Sequence, residues 1–185
     1  MELTAPLYYD ELVAKCKQGD VQSYNALYRR YATAMFNTSL RIVNNSADAE
    51  DVLQEAFVAA FRLDNFDYSS TFGAWLKRIV INKSIDVLRR RKLTVVDIDN
   101  AALDGIQDDE LPDEENIQLK VGEIKKAIIK LPSGYRTVLS LFLFEDYSYS
   151  EIATTLNITE STVRTQYHRA RQKLLHTLKS GGKDE

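Results

Sequence analysis

Outside residues 93–116, the apolar positions of this chain recur at steps of three and four, the spacing that gathers side chains on one face of an α-helix. Leu12, Val13 and Cys16 predict a first helix over about residues 7–17. Gly19 ends it, and Asp20 is placed to cap the next. Tyr24, Leu27, Tyr28, Tyr31, Met35, Leu40 and Val43 then mark a long amphipathic helix, broken at Asn44-Asn45. Its aromatic residues read as helix-packing groups. Ser46 is placed to cap a third helix with the stripe Val52, Leu53, Ala56, Phe57, Ala60 and Phe61. After the short loop NFDYS comes a fourth helix, capped by Ser69 or Ser70. Its stripe is Phe72, Trp75, Leu76, Ile79, Val80 and Val87, and Asn82 lies on the Trp75 side at the stripe's edge.

Periodicity fails from Leu93 to Asn116, where Gly105 and Pro112 interrupt any helix, so a flexible, solvated linker is expected there. It returns at Ile117, Val121, Ile124, Ile128 and Leu131, and Pro132 stops that helix. A further helix over about Ser133–Glu145 carries Val138, Leu139, Leu141, Phe142 and Leu143. Ser148 and Glu151 then form a capping box for a short helix with Ile152, Ala153 and Leu156 inward. Asn157-Ile158-Thr159 is a tight turn. Thr159 caps a last helix with Val163, Tyr167, Ala170, Leu174 and Leu178 inward. The expectation is an all-α protein of two small helical domains, residues 1–94 and 117–185, joined by an acidic linker over 95–116.

Composition narrows the class. The 185 residues include only 7 glycines and 3 prolines, few for the turns of an all-β protein. One cysteine excludes an internal disulfide, and two histidines offer no zinc-ligand spacing, so no metal or cofactor is expected. No apolar run approaches the ~18 residues of a membrane span. The start, MELTAPLYYDELV, lacks the pattern of a signal peptide, so no membrane insertion and a cytoplasmic location are expected. The net charge is −3, but nine carboxylates fall between Asp97 and Glu115 with no Lys or Arg among them. The rest of the chain is basic, with 24 Lys and Arg against 18 Asp and Glu. Such segregation implies parts with different partners.

Four stretches carry candidate chemistry. Asp48, Glu50 and Asp51 start the third helix, where the dipole favours carboxylates. They read as a solvated face, an acidic docking face or, with no ligands to complete it, a poor metal site. Arg89, Arg90, Arg91 and Lys92 end the fourth helix, either as dipole-paired charges or as a phosphate-binding end below aromatics and an amide. In the loop before it, Phe66 and Tyr68 either fold onto the core or take part in recognition. The last two helices have the helix-turn-helix pattern, whose second helix reads the major groove with its exposed N-terminal residues. Here those are Glu160, Ser161, Arg164, Thr165 and His168. Arg164 suits a guanine edge, and Arg169 and Arg171 suit phosphates. No nucleophile–base pair or phosphate-binding glycine loop is visible, so no enzymatic activity is expected.

Four stretches together resemble the sigma-70 family of RNA polymerase sigma factors, in its small extracytoplasmic-function (ECF) group. They are DAEDVLQEAF (48–57), FDYSSTFGAWLKRIVINKSIDVLRRRK (66–92), LPSGYRTVLSL (131–141) and YSYSEIATTLNITESTVRTQYHRARQKL (147–174). The resemblance covers nearly the whole chain. It implies a transcription initiation factor that binds core RNA polymerase, directs it to promoters and helps open the −10 element. By it, Asp48, Asp51, Gln54 and Glu55 would meet the polymerase clamp coiled coil. Phe66, Tyr68, Ser69, Ser70 and Asn82 would capture the −10 strand, with Trp75 in the core behind them. Lys77, Arg78, Lys83, Arg89 and Arg90 would follow the DNA backbone, and Arg91 with them. Ser161, Arg164, Thr165, His168, Arg169 and Arg171 would bind the −35 element, and their domain would pack on the polymerase flap. The acidic linker would thread a basic channel meant for RNA. An anti-sigma factor or other regulatory partner is implied too. The competing expectation is a helix-turn-helix transcriptional regulator that binds duplex DNA without polymerase, with residues 1–95 as a sensing or dimerisation domain.

Overall fold

The computed structural model describes residues 5–62, 66–94 and 121–181. Among them are eight helices and no strand. The first half holds α1 (Ala5–Lys17), α2 (Val21–Val43), α3 (Ser46–Phe61) and α4 (Phe72–Thr94); the second holds α5 (Val121–Ile129), α6 (Ser133–Phe144), α7 (Tyr149–Leu156) and α8 (Glu160–Gly181). The acidic stretch and the helical start expected at Ile117 lie outside the described residues.

Helix ends follow the expected chemistry, with two shifts. Gly19 turns the chain at φ +85°, and the Asp20 carboxylate accepts the Ser23 N–H at 2.9 Å. Asn44 closes α2 in the left-handed region, as a short polar side chain can. The cap of α3 is Asn45, whose side chain accepts the Asp48 N–H, rather than Ser46. The cap of α4 is Thr71, whose hydroxyl accepts the Ala74 N–H at 3.3 Å, rather than Ser69 or Ser70. Each shift is one or two residues, within runs of small polar side chains that are all able to cap.

α2, α3 and α4 pack around one core with α1 across them. Leu27, Val52, Ala56, Phe57, Phe72, Leu76 and Val80 fill it, together with Val13 and Cys16 of α1. Burial, and then Asp20, push the Cys16 thiol up to about 11, which suits an inert core residue. Gly73 lets α4 approach α2, since a Cβ there would sit 2.7 Å from the Tyr31 ring. The second half has its own cluster of Ala127, Ile128, Leu131, Leu139, Ala170 and Leu174.

A third cluster joins the halves. Ile42 of α2 and Ile81 and Ile85 of α4 meet Val138, Leu141, Ile152 and Val163. Burying an isoleucine contributes about 1.5–3 kcal/mol. Beside it lies Glu145, with 3% of its side chain exposed. Arg41 reaches its Oε1 at 2.5 Å, Lys77 its Oε2 at 3.1 Å, and the Thr38 hydroxyl donates to Oε1 at 3.1 Å. Two cations of the first half thus neutralise a carboxylate of the second, and a hydroxyl adds a hydrogen bond.

Removing that carboxylate strands two cations that are each about two-thirds buried. Glu145→Ala should lower the unfolding free energy by about 1–3 kcal/mol, reduced from the buried-pair range because both cations keep some water. Lys77→Ala should cost less, since Arg41 remains. Urea denaturation of the two variants checks the order; equal or absent losses would contradict it.

Candidate nucleic-acid and polymerase interface

α4 presents three faces. Phe72, Leu76 and Val80 enter the core of the first half. Ile81, Ile85 and Leu88 turn to the second half. Arg78 and Asn82 form an exposed third face, and Arg89, in line with them at helical spacing, is exposed at the edge where α4 meets the second half. This line brings an amide and two guanidinium-bearing residues together, the donors needed for a base edge and flanking phosphates.

The loop entering α4 is held from below. Phe66 is 4% exposed and packs on Trp75, Phe72 and Tyr68, with ring centroids 5.1, 5.8 and 4.7 Å away. A ring so enclosed anchors the loop, the first of the two uses that the sequence left open for Phe66 and Tyr68. Tyr68, 44% exposed and at φ +63°, is the aromatic at the surface. The Asp67 carboxylate accepts the Ser69 N–H at 2.9 Å, and the Ser69 bonds hold it below its ordinary range. Ser69 is exposed and Ser70 partly so.

The basic groups expected along the DNA backbone divide. Lys77 is engaged by Glu145, and Lys83 by Glu55 of α3 at 3.0 Å. Arg89 pairs with Asp86 and donates to the Thr155 carbonyl at the end of α7. Arg91 pairs with Asp48 and donates to the Val43 carbonyl at the end of α2 at 2.8 Å. Arg90 is exposed and near Glu55, whose carboxyl Lys83 and, less, Arg90 hold below its ordinary range. Much of the basic run therefore satisfies carbonyls and carboxylates of other helices, a third use beside the two read from sequence.

On α3, Asp51 and Gln54 are exposed, while Asp48 and Glu55 face the cations just named. A shallow hollow of about 570 Å³ between α3 and α4 is lined by Gln54, Glu55, Val58, Ala59, Arg62, Trp75 and Lys83. Val58, 62% exposed at its rim, was not singled out from sequence, because it stands outside the apolar stripe.

α7 and α8 form the helix-turn-helix. Ser148 and Glu151 close the capping box. Asn157 takes the left-handed conformation at φ +56°, and the Thr159 hydroxyl accepts the Thr162 N–H. Val163 and Ala170 are fully buried, which turns Ser161, Arg164, Thr165, His168 and Arg171 outward, with Arg169 partly exposed. Arg164, Thr165, His168 and Arg169 share a second hollow of about 570 Å³ with Tyr149 and Tyr167. The Arg164 guanidinium contacts Glu160 at 2.6 Å and lies 5.3 Å from the Tyr149 ring centroid. Tyr149 is itself stacked on Phe142 at 4.9 Å. Arg136, 5% exposed, donates to the Leu131 and Ile42 carbonyls, and burial followed by the charge of Arg91 lowers its pKa. Neither Tyr149 nor Arg136 stood out in the sequence; an aromatic beside a capping box and an arginine inside an apolar run were the only signals.

Comparison with known proteins sets this geometry in a family. Residues 27–94 match the family model "Sigma-70 region 2", and residues 122–174 match "Sigma-70, region 4". The ECF RNA polymerase sigma factor SigW of Bacillus subtilis (strain 168) is 33% identical over 177 residues, covering 90% of this chain and 95% of that protein. The solved structure of CnrH in complex with the cytosolic domain of CnrY shares 26% identity and a TM-score of 0.53 over 91% of this chain and 96% of that one. The sigma factor RpoE of Bartonella quintana, solved with the anti-sigma factor NepR, shares the fold at a TM-score of 0.56 and 23% identity, over 89% and 100%. The chain belongs to the sigma-70 family, in its ECF group, and is a transcription initiation factor.

The two loop aromatics should separate in a stability measurement. Phe66→Ala should lower the unfolding free energy by about 3–5 kcal/mol. Tyr68→Ala should cost about 1 kcal/mol, from the contacts of its ring with Phe66 and the Lys17 ammonium. Thermal and urea denaturation of both variants decides; similar losses would contradict the division of roles.

Proposed function

We propose that the chain binds core RNA polymerase through the exposed part of α3, reads the −35 element with α8 and opens the −10 element with the loop before α4 and the exposed face of that helix. The observation that carries the reading is one of pairing. The two matched family regions each carry an exposed, DNA-compatible face, Arg78–Asn82–Arg89 on one and Arg164–Thr165–His168 on the other. Asp51 and Gln54 are the docking contacts, with Val58 beside them. Glu55 and Asp48 shape that surface through Lys83 and Arg91.

No catalysis is assigned to the chain. Its binding energy trades base stacking for contacts to an unstacked strand. Asn82 supplies the amide for a base edge, and Tyr68 supplies the surface aromatic in place of Phe66. Arg164 reads a base with its guanidinium oriented over Tyr149; Arg169 and Arg171 contact phosphate. Among the described residues no helix is long and apolar enough to cross a membrane. A cytoplasmic site of action follows from the work at a promoter, and an anti-sigma factor is a fitting regulatory partner.

The two DNA faces cannot serve both elements from the arrangement described. The names −10 and −35 separate the elements by about 25 base pairs, about 85 Å of duplex. Yet Arg89 touches the Thr155 carbonyl of α7 at 3.1 Å. Promoter engagement therefore separates the halves, which releases Lys77 from Glu145 and Arg89 from Thr155 for the DNA backbone.

Run-off transcription with core polymerase and a matched promoter tests the reading. Arg164→Ala should relax discrimination at one −35 position by about tenfold, the loss of one bidentate contact of about 1–3 kcal/mol. Asn82→Ala should slow opening of the −10 element and leave initial duplex binding within about twofold, on the same free-energy argument. Sequence-specific duplex binding by the chain alone, with no response to polymerase, would favour the stand-alone regulator instead.

A further inference from the structure

We propose that Lys17 is a positioning residue for the −10 loop. It reaches from the end of α1 to set the loop's backbone and its surface aromatic at once. The inference rests on the reading of that loop as the −10 contact.

Two contacts carry it. The Lys17 ammonium donates to the Phe66 carbonyl at 3.2 Å, across 49 residues of sequence. The same nitrogen lies 4.6 Å from the centroid of the Tyr68 ring, within cation–π range. One charge thus grips residues 66 and 68 from outside the loop. The ring of Phe66 is fixed in the core below, so the grip defines where Tyr68 stands.

The need for a grip is local. Tyr68 takes φ +63°, a conformation that L side chains adopt at a cost in free energy and keep only where surroundings enforce it. The Asp67–Ser69 turn supplies part of that constraint. Lys17 supplies a part that a turn cannot, because it engages the ring as well as the chain.

Lys17 is suited to this by its root. Its neighbour Cys16 is 1% exposed, and the Cys16 carbonyl accepts both the Tyr24 hydroxyl at 2.6 Å and the Gly19 N–H at 2.9 Å. The corner between α1 and α2 is thereby fixed against α2. A long side chain leaving a fixed corner reaches the loop with fewer conformations to lose. Elsewhere on an exposed helix end, a lysine would be a solvated charge matching the dipole.

The test uses the full chain assembled with core polymerase on a promoter. Lys17→Met keeps the stem and removes charge and donor; Lys17→Arg keeps both. Opening is followed by permanganate reactivity of −10 thymines, initial binding by footprinting, and salt dependence for each variant. Lys17→Met should slow opening about tenfold, with initial binding and its salt slope unchanged and the thermal midpoint within about 2 °C. Lys17→Arg should recover opening to within about threefold of the parent.

Opening unchanged in Lys17→Met, while Asn82→Ala and Tyr68→Ala slow it, would overturn the role of Lys17 alone. A salt slope for initial binding reduced by about one charge would also overturn it, making Lys17 a phosphate contact. Opening unchanged in Asn82→Ala and Tyr68→Ala as well would overturn the reading of the loop, and the inference with it.

Discussion

A carboxylate removed from water must find compensating charge inside the protein, and Glu145 finds it on the opposite half of the chain. Arg41 and Lys77 hold its two oxygens, and Thr38 adds a donor. This ion cluster fixes which surface of α6 meets α2, and with it the register of Ile42, Ile81 and Ile85 against Val138, Leu141 and Ile152. Coulomb attraction in such a pair roughly offsets desolvation, so its contribution lies more in register than in net stability. The apolar seam supplies the drive. Both cations keep about a third of their side-chain surface exposed, so the pair is only partly withdrawn from water.

The central helix shows how one element serves several ends. Three faces of α4 go to the core, to the other half and to solvent. The core face is continuous from Phe72 to Val80, so the entry loop and the amide of Asn82 sit on a rigid base. The arginines at its end are spent on backbone carbonyls of α2 and α7 as well as on carboxylates. Guanidinium groups suit this use, since they stay charged when half-buried and offer several donors. The same groups are matched to phosphate.

Much of this was legible in the residues. Helical spacing located the helices, and the inward sets of the last two helices turned Arg164, Thr165 and His168 outward as observed. The capping box at Ser148 and Glu151 needs only its own four residues, so local sequence sufficed. Caps at Asn45 and Thr71 were displaced because neighbouring Ser, Thr and Asn side chains all accept an N–H, and backbone dihedrals choose among them. Ile81 and Ile85 lay outside the expected stripe of α4 because a stripe has one partner, whereas this helix has two. Glu145 read as the polar end of a helix, since nothing local reveals that Arg41 and Lys77 stand opposite. Phe66 and Tyr68 could not be told apart, because a loop has no period to say which ring turns inward.

This chain acts on promoters through RNA polymerase. The most direct measurement is co-elution of the purified chain with bacterial core RNA polymerase on size exclusion, read by stoichiometry. A stable one-to-one complex, weakened by paired substitution of Asp51 and Gln54, is the expected result. Separate elution at micromolar concentrations, together with specific duplex binding by the chain alone, would contradict the claim.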